Sequence, residues 1–165
     1  MKVIFLDIDG VVNTFQFYKE PPMNIPKEKL KLIDGYYIDI CSESDLRVSN
    51  TQAMILLDKL CHKYNLKIVI SSTWRFQYNK CCKALYNSGL GEDIEIIGYT
   101  PHLGTERGYE IQSYLQLHPE ITNYIILDDD ADMLPNQINH LILTNNYIGF
   151  NFNDYIKAEQ IMADW

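Results

Sequence analysis

The chain has 165 residues, 47% hydrophobic and 22% charged with eight Gly and six Pro, which excludes a disordered or fibrous protein and suffices for one domain burying its own core. A formal charge of −8 excludes the broad basic face used to grip long duplexes, while leaving room for a strand end or an acidic metal site. Four cysteines without CxxC spacing read as free thiols, and with no signal-peptide pattern or bilayer-length apolar run we expect a soluble, cytoplasmic protein without membrane contact.

Lys2 to Leu6 is rich in β-branched and aromatic residues and stops at Asp7-Ile8-Asp9-Gly10, the pattern of a buried strand entering a loop. From Asn13 to about Ser49 the periodicity is poor. There Asp34-Gly35 reads as a hairpin turn, and we expect a flap or small cap inserted at about 14–48. Ala53, Leu56, Leu57, Leu60, Cys61 and Tyr64 share one helical face, with Ser49 or Asn50 as cap. A second strand, Leu66 to Ile70, ends at Ser71-Ser72-Thr73, and a helix from about Trp74 through Leu85 is stopped by Ser88-Gly89. Ile94 to Ile97 supplies a third strand. Thr105 is positioned to cap a helix carrying Ile111, Tyr114 and Leu115 and closed by Pro119. Asn123 to Leu127 is a strand ending in Asp128-Asp129-Asp130, Leu141 to Leu143 is a short strand, and Asn153 to Trp165 is a terminal helix. Strands alternating with helices predict an α/β fold, a parallel sheet covered on both faces.

In such sheets ligands bind outside the carboxyl ends of the strands, where the predicted strands end in Asp7, Ser71 and Asp128. Asp7 and Asp9, two positions apart, return to one side of extended chain roughly 6 to 7 Å apart. One can attack a phosphorus while the other handles a proton, and Gly10 lets the backbone turn and approach the phosphate. A carboxylate attacking an anion needs a cation, and Mg²⁺ held by Asp7, Asp9, Asp128 and Asp129 is the expected solution. Asp132 is a candidate assistant or a solvated helix-starting acid, and Asp130 has no assignment. Ser71 and Ser72 are candidates to hold phosphate oxygens at a helix start, although Ser72 or Thr73 capping that helix explains the same residues. Arg107 in Gly104–Gly108 is the candidate cation for the phosphoryl group and Arg75 its rival; surface or salt-bridging roles are the alternative for both. The four histidines have no HxH or HxxxH spacing, so no zinc site is expected.

Taken together, Asp7-Ile8-Asp9-Gly10-Val11, Ser71 after an apolar strand, Arg107, and Asp128-Asp129 after another strand resemble the haloacid dehalogenase (HAD) superfamily of phosphatases. The resemblance implies a Rossmann-like three-layer core and Mg²⁺. It also implies Asp7 as nucleophile, Asp9 as general acid/base, Ser71 as phosphate binder, Arg107 as the third-motif cation, and Asp128 with Asp129 as metal ligands. More narrowly, Ile70 to Arg75, Thr100-Pro101, Arg107 with Glu110-Ile111, and Leu127 to Asp130 are similar to HAD domains of RNA-repair proteins and to the 3′-phosphatase half of polynucleotide kinase/phosphatases. By that likeness the substrate is a nucleotide or a nucleic-acid 3′-phosphate end, with no obligate protein partner evident. A sugar-phosphate type phosphatase and a non-catalytic phosphate-binding pseudoenzyme are the alternatives. The kinase half has no counterpart here, since no GxxxxGK[ST] loop occurs. Phe15, Phe17, Tyr18, Tyr36 and Tyr37 in the insertion either stack on a base or form a small satellite core.

Overall fold

Val3, Ile4, Phe5 and Leu6 are all fully buried, so strand β1 (Lys2–Leu6) has no solvent face, as the centre of a doubly covered sheet requires. The computed structural model describes residues 1–14, the backbone of 30–33 and 36–39, and residues 48, 50–163 and 165. Beside β1 lie β4 (Lys67–Ile70) and β6 (Asn123–Asp128), flanked by β5 (Ile96–Tyr99) and β7 (Leu141–Leu143), giving the order β5-β4-β1-β6-β7. All four pairings are parallel. β2 (Leu30–Ile33) and β3 (Tyr36–Asp39) form a separate antiparallel pair in which Ile33 faces Tyr36, while Asp34 and Gly35, where a hairpin turn is expected, lie outside the described residues.

The period-two alternation of each central strand feeds two cores. Ile4, Leu6, Ile68, Ile70, Ile125 and Leu127 pack with helices α1 (Thr51–Tyr64), α2 (Tyr78–Asn87) and α4 (Phe152–Met162), while Val3, Phe5, Val69 and Ile126 pack with Ile111 and Tyr114 of α3 (Arg107–Leu117). Phe5 meets Tyr114 and Tyr124 edge-on, with ring centroids 5.8 and 5.7 Å apart. The result is the expected three-layer α/β core.

Three expectations shift in detail. The helix expected from Trp74 divides into a 3₁₀ turn over Thr73–Gln77 and then α2, with Gln77 leaving helical geometry between them. The third strand begins at Ile96, two residues late, because the Ile94 N–H closes a turn onto the Gly91 carbonyl. The cap of α3 is not Thr105: the Arg107 N–H donates to Asp132 Oδ2 at 2.9 Å, so a side chain from the β6 loop serves the helix start. Asn50 caps α1 as expected, accepting from the Ala53 N–H at 3.0 Å.

Cys61 and Cys81 are buried free thiols and Cys82 is half-buried, whereas Cys41 lies outside the described residues. Among the described residues no helix is long and apolar enough to cross a membrane. Phe15, Phe17 and Tyr18 lie outside the described residues, as do the side chains of Tyr36 and Tyr37.

Candidate active site

Parallel pairing carries the strand tips to one edge. Past β1 the ladder continues, with the Asp7 N–H donating to the Leu127 carbonyl at 2.9 Å and the Ser71 N–H to the Leu6 carbonyl at 2.8 Å. Asp128 ends β6, and its carbonyl accepts from the Thr144 N–H at 2.9 Å. Carboxylate oxygens of Asp7, Asp128 and Asp129 lie within 4.8 Å of one another. Asp7 and Asp128 are almost wholly buried, at 6% and 1% exposure.

Crowding of acids in so little water raises their proton affinity. Burial is the main cause for Asp7, with the Arg107 guanidinium and the Ser72 hydroxyl pulling the other way. For Asp128, burial is reinforced by the charge of Asp7 and offset by Arg107. The Asp129 carboxyl is raised as well, again chiefly by burial. The Arg107 guanidinium sits between the two deepest acids, Nη1 3.6 Å from Asp7 Oδ1 and Nε 3.8 Å from Asp128 Oδ2.

Asp9 stands apart from this trio. Its carboxylate is exposed and is held by two donors, the Trp74 indole N–H at 2.9 Å and the Asn13 side-chain amide at 3.2 Å. Gly10 follows at φ +76°, and its carbonyl accepts from the buried Thr144 hydroxyl at 2.9 Å. A Cβ at Gly10 would run into the Asp129 carboxylate, so the glycine serves both the left-handed turn and the close approach of the β6 loop. Gly10→Ala is expected to cost about 1–2 kcal/mol in backbone strain and, by displacing Asp129, to weaken the response to Mg²⁺ by about 10-fold or more. Melting and metal titration read the two effects separately.

The two candidate arginines part company. Arg107 opens α3, its backbone N–H fixed on Asp132 and its side chain beside Asp7 and Asp128. Arg75 is buried and directed to Glu110, Nη1 to Oε2 at 2.7 Å, with the Thr100 hydroxyl at 2.8 Å from the same nitrogen. The Arg75–Glu110 pair therefore ties the 3₁₀ turn to α3. Ser72 caps that turn, its hydroxyl accepting from the Trp74 N–H at 3.4 Å, while also contacting Asp7. Asp130 is exposed and its N–H donates to Asp128 Oδ1 at 3.0 Å, steadying that carboxylate.

Ser71 Oγ, Arg107 Nη1 and Asp128 Oδ2 at this edge are buried without a hydrogen-bond partner among the described residues, as are Arg75 Nε and Asp132 Oδ1. The arginine and the acids face one another only at ion-pair distance, and a donor, a cation and an acceptor without hydrogen bonds in one small volume are costly unless a ligand completes them. An all-oxygen set of three converging carboxylates suits a hard divalent cation, which would also offset the repulsion that raises their proton affinities. The residues present thus fit Mg²⁺, and the serine and arginine fit an anion beside it.

Sequence patterns alone miss Trp74 and Asn13 as partners of Asp9, Thr144 as partner of Gly10, and Asp132 as the anchor of Arg107. Local spacing does not encode these contacts, except that Asn13 lies four residues from Asp9.

Residues 3–155 match the family described as HAD domain in Swiss Army Knife RNA repair proteins. No curated protein and no solved structure matches the chain.

Proposed function

The chain belongs to the family of HAD domains in Swiss Army Knife RNA repair proteins, a fold family of phosphatase-type hydrolases, and from that membership we propose that it hydrolyses phosphomonoesters through an aspartyl-phosphate, on a nucleotide or a nucleic-acid 3′-phosphate end. The observation that carries the reading is the set of buried atoms around Asp7 that lack a hydrogen-bond partner among the described residues, namely Ser71 Oγ, Arg107 Nη1 and Asp128 Oδ2.

Asp7 is assigned as nucleophile. A carboxylate oxygen forms a bond to phosphorus while the ester oxygen leaves, taking a proton from the Asp9 carboxyl. In the second half a water oxygen attacks the same phosphorus, its proton passes to Asp9, and the Asp7 carboxylate is regenerated with release of phosphate. Asp9 suits the proton-handling role because Trp74 and Asn13 fix its carboxylate at the exposed rim, where a leaving group or water can reach it. Asp7, Asp128 and Asp129 are assigned to hold Mg²⁺, with the Asp9 loop beside them; when bound, it supplies charge neutralisation between nucleophile and phosphate. Ser71 and Ser72 are assigned to phosphate oxygens, and Gly10 keeps the loop close. Arg107 offsets the charge of the transferring phosphoryl group. Arg75, paired with Glu110, is assigned a positioning role. The insertion at about 14–48 is proposed as the cap that selects the substrate.

Two measurements test this. Phosphate release should be seen on a panel of 3′- and 5′-phosphorylated oligonucleotides, mononucleotides and sugar phosphates, highest on the 3′-phosphorylated oligonucleotide; a best rate on sugar phosphates would move the substrate class, and no release from any would sink the enzyme reading. Arg107→Ala should lower kcat by about 10²- to 10³-fold. Arg107→Lys should recover only part of that, because an ammonium lacks the planar fork that spans two acceptors. Unchanged kcat in Arg107→Ala would remove the residue from the mechanism.

A further inference from the structure

Outside the acid cluster, the same sheet edge carries a shallow groove, wide open to solvent, of about 480 Å³ and lined by Phe76, Gln77, Tyr78, Asn79, Lys80 and Tyr99. Phe76 is 66% exposed and Tyr99 49% exposed, large apolar rings left to water. Each nonetheless rests against neighbours. Phe76 lies edge-on to His102 at 5.1 Å and under the Arg75 guanidinium at 5.8 Å, and Tyr99 tilts against Tyr78 at 5.1 Å. The Tyr78 hydroxyl in turn donates to the Ile96 carbonyl at 3.1 Å. Rings that already rest on neighbours lose less side-chain freedom when a ligand stacks on them.

The rest of the lining narrows the ligand. Gln77 and Asn79 offer amide donors and acceptors, the pattern that reads a base edge, and Lys80 suits a backbone phosphate. Among the described residues no carboxylate lines the groove, although the chain carries 22 acidic residues. Its position is equally specific. The 3₁₀ turn that carries Phe76 also carries Trp74, which touches Asp9, and begins after Ser72, which touches Asp7. Tyr99 ends β5, two strands from β1, so about 10 Å separates it from the Asp7 end along the sheet edge. That is one to two nucleotides of single strand.

We propose that this groove binds the nucleobases next to the phosphorylated end of a single-stranded nucleic acid, stacking them on Phe76 and Tyr99. The inference rests on the nucleic-acid reading above and adds a specificity site to it.

The test compares kcat/KM for a 3′-phosphorylated oligonucleotide with that for an aryl phosphate, in Phe76→Ala, Tyr99→Ala and Tyr99→Phe. The oligonucleotide-to-aryl ratio should fall by about 10-fold in each alanine variant and be largely retained in Tyr99→Phe, where the ring face persists. In parallel, a 2-aminopurine oligonucleotide bound to Asp7→Asn should lose base fluorescence, and the loss should vanish with Phe76→Ala added. An unchanged ratio together with persistent quenching would overturn the groove while leaving the nucleic-acid reading intact. A wild-type enzyme that cleaves aryl phosphate but no oligonucleotide would overturn both.

Discussion

Asp7→Asn is expected to reduce phosphate release by about 10⁴-fold or more, to the background rate, because the amide cannot form the covalent intermediate. The same substitution should not destabilise the fold. In the native chain, burial raises the proton affinity of Asp7, which means that the folded state disfavours its charged form. Asparagine resembles the neutral acid in shape, and it removes the repulsion with Asp128 that contributes to the elevation of that neighbour. The loss of attraction to Arg107 at 3.6 Å works against this but ranks below burial. Melting in EDTA should therefore give a temperature equal to or above that of the native protein. An inactive variant that melts well below it has lost its fold rather than its nucleophile, and turnover persisting in a folded variant would eliminate the proposed chemistry.

Chelation should have the second-largest effect, stopping turnover and, near neutrality, lowering the melting temperature. The pH dependence follows from the directions of the shifts. Asp7, Asp128 and Asp129 all have raised proton affinities in the folded chain, so the stability they contribute is fully present below the ordinary value of 3.8 and is lost as pH rises through the raised values. Metal-free protein should thus be more tolerant of heat at about pH 5 than this cluster allows at about pH 8. In the proposed site Mg²⁺ takes the ionised acids, so it should restore little at the lower pH and about 5 °C or more at the higher one. Scanning fluorimetry with Mg²⁺ and with EDTA at both pH values reads this directly. Equal Mg²⁺ shifts at the two values, or none at either, would argue against the three acids sharing a cation.

The sheet was legible because strands buried on both faces leave continuous apolar runs, and the tips of those runs named Asp7, Ser71 and Asp128 without any knowledge of pairing. Parallel pairing then does the rest, bringing residues 7, 71 and 128 together through register alone. What spacing could not reveal depends on residues far apart in sequence. Thr105 is a sound local cap for α3, yet Asp132, 25 positions after Arg107, takes that place and so couples the arginine to the acidic loop. Arg75 and Arg107 look interchangeable in the sequence. Glu110, buried at 2% exposure, captures the first and leaves the second to the acids. The start of β5 depends on a local turn at Gly91 to Ile94 and an irregular register against β4, neither of which changes the hydrophobic pattern. The role of Trp74 was equally hidden, since an indole at a helix start has the same sequence signature whether it packs or donates.

Trp74 gives the chain an optical handle. It is one of two tryptophans, the other being Trp165 at the far end of the sequence, and its ring nitrogen is one hydrogen bond from the carboxylate assigned to move the proton. With Trp165→Phe and excitation on the red side of tyrosine absorption, the emission comes from a single indole seated at the rim of the cleft. Its colour and lifetime then report directly on the charge state and solvation of Asp9, in real time and without any added dye.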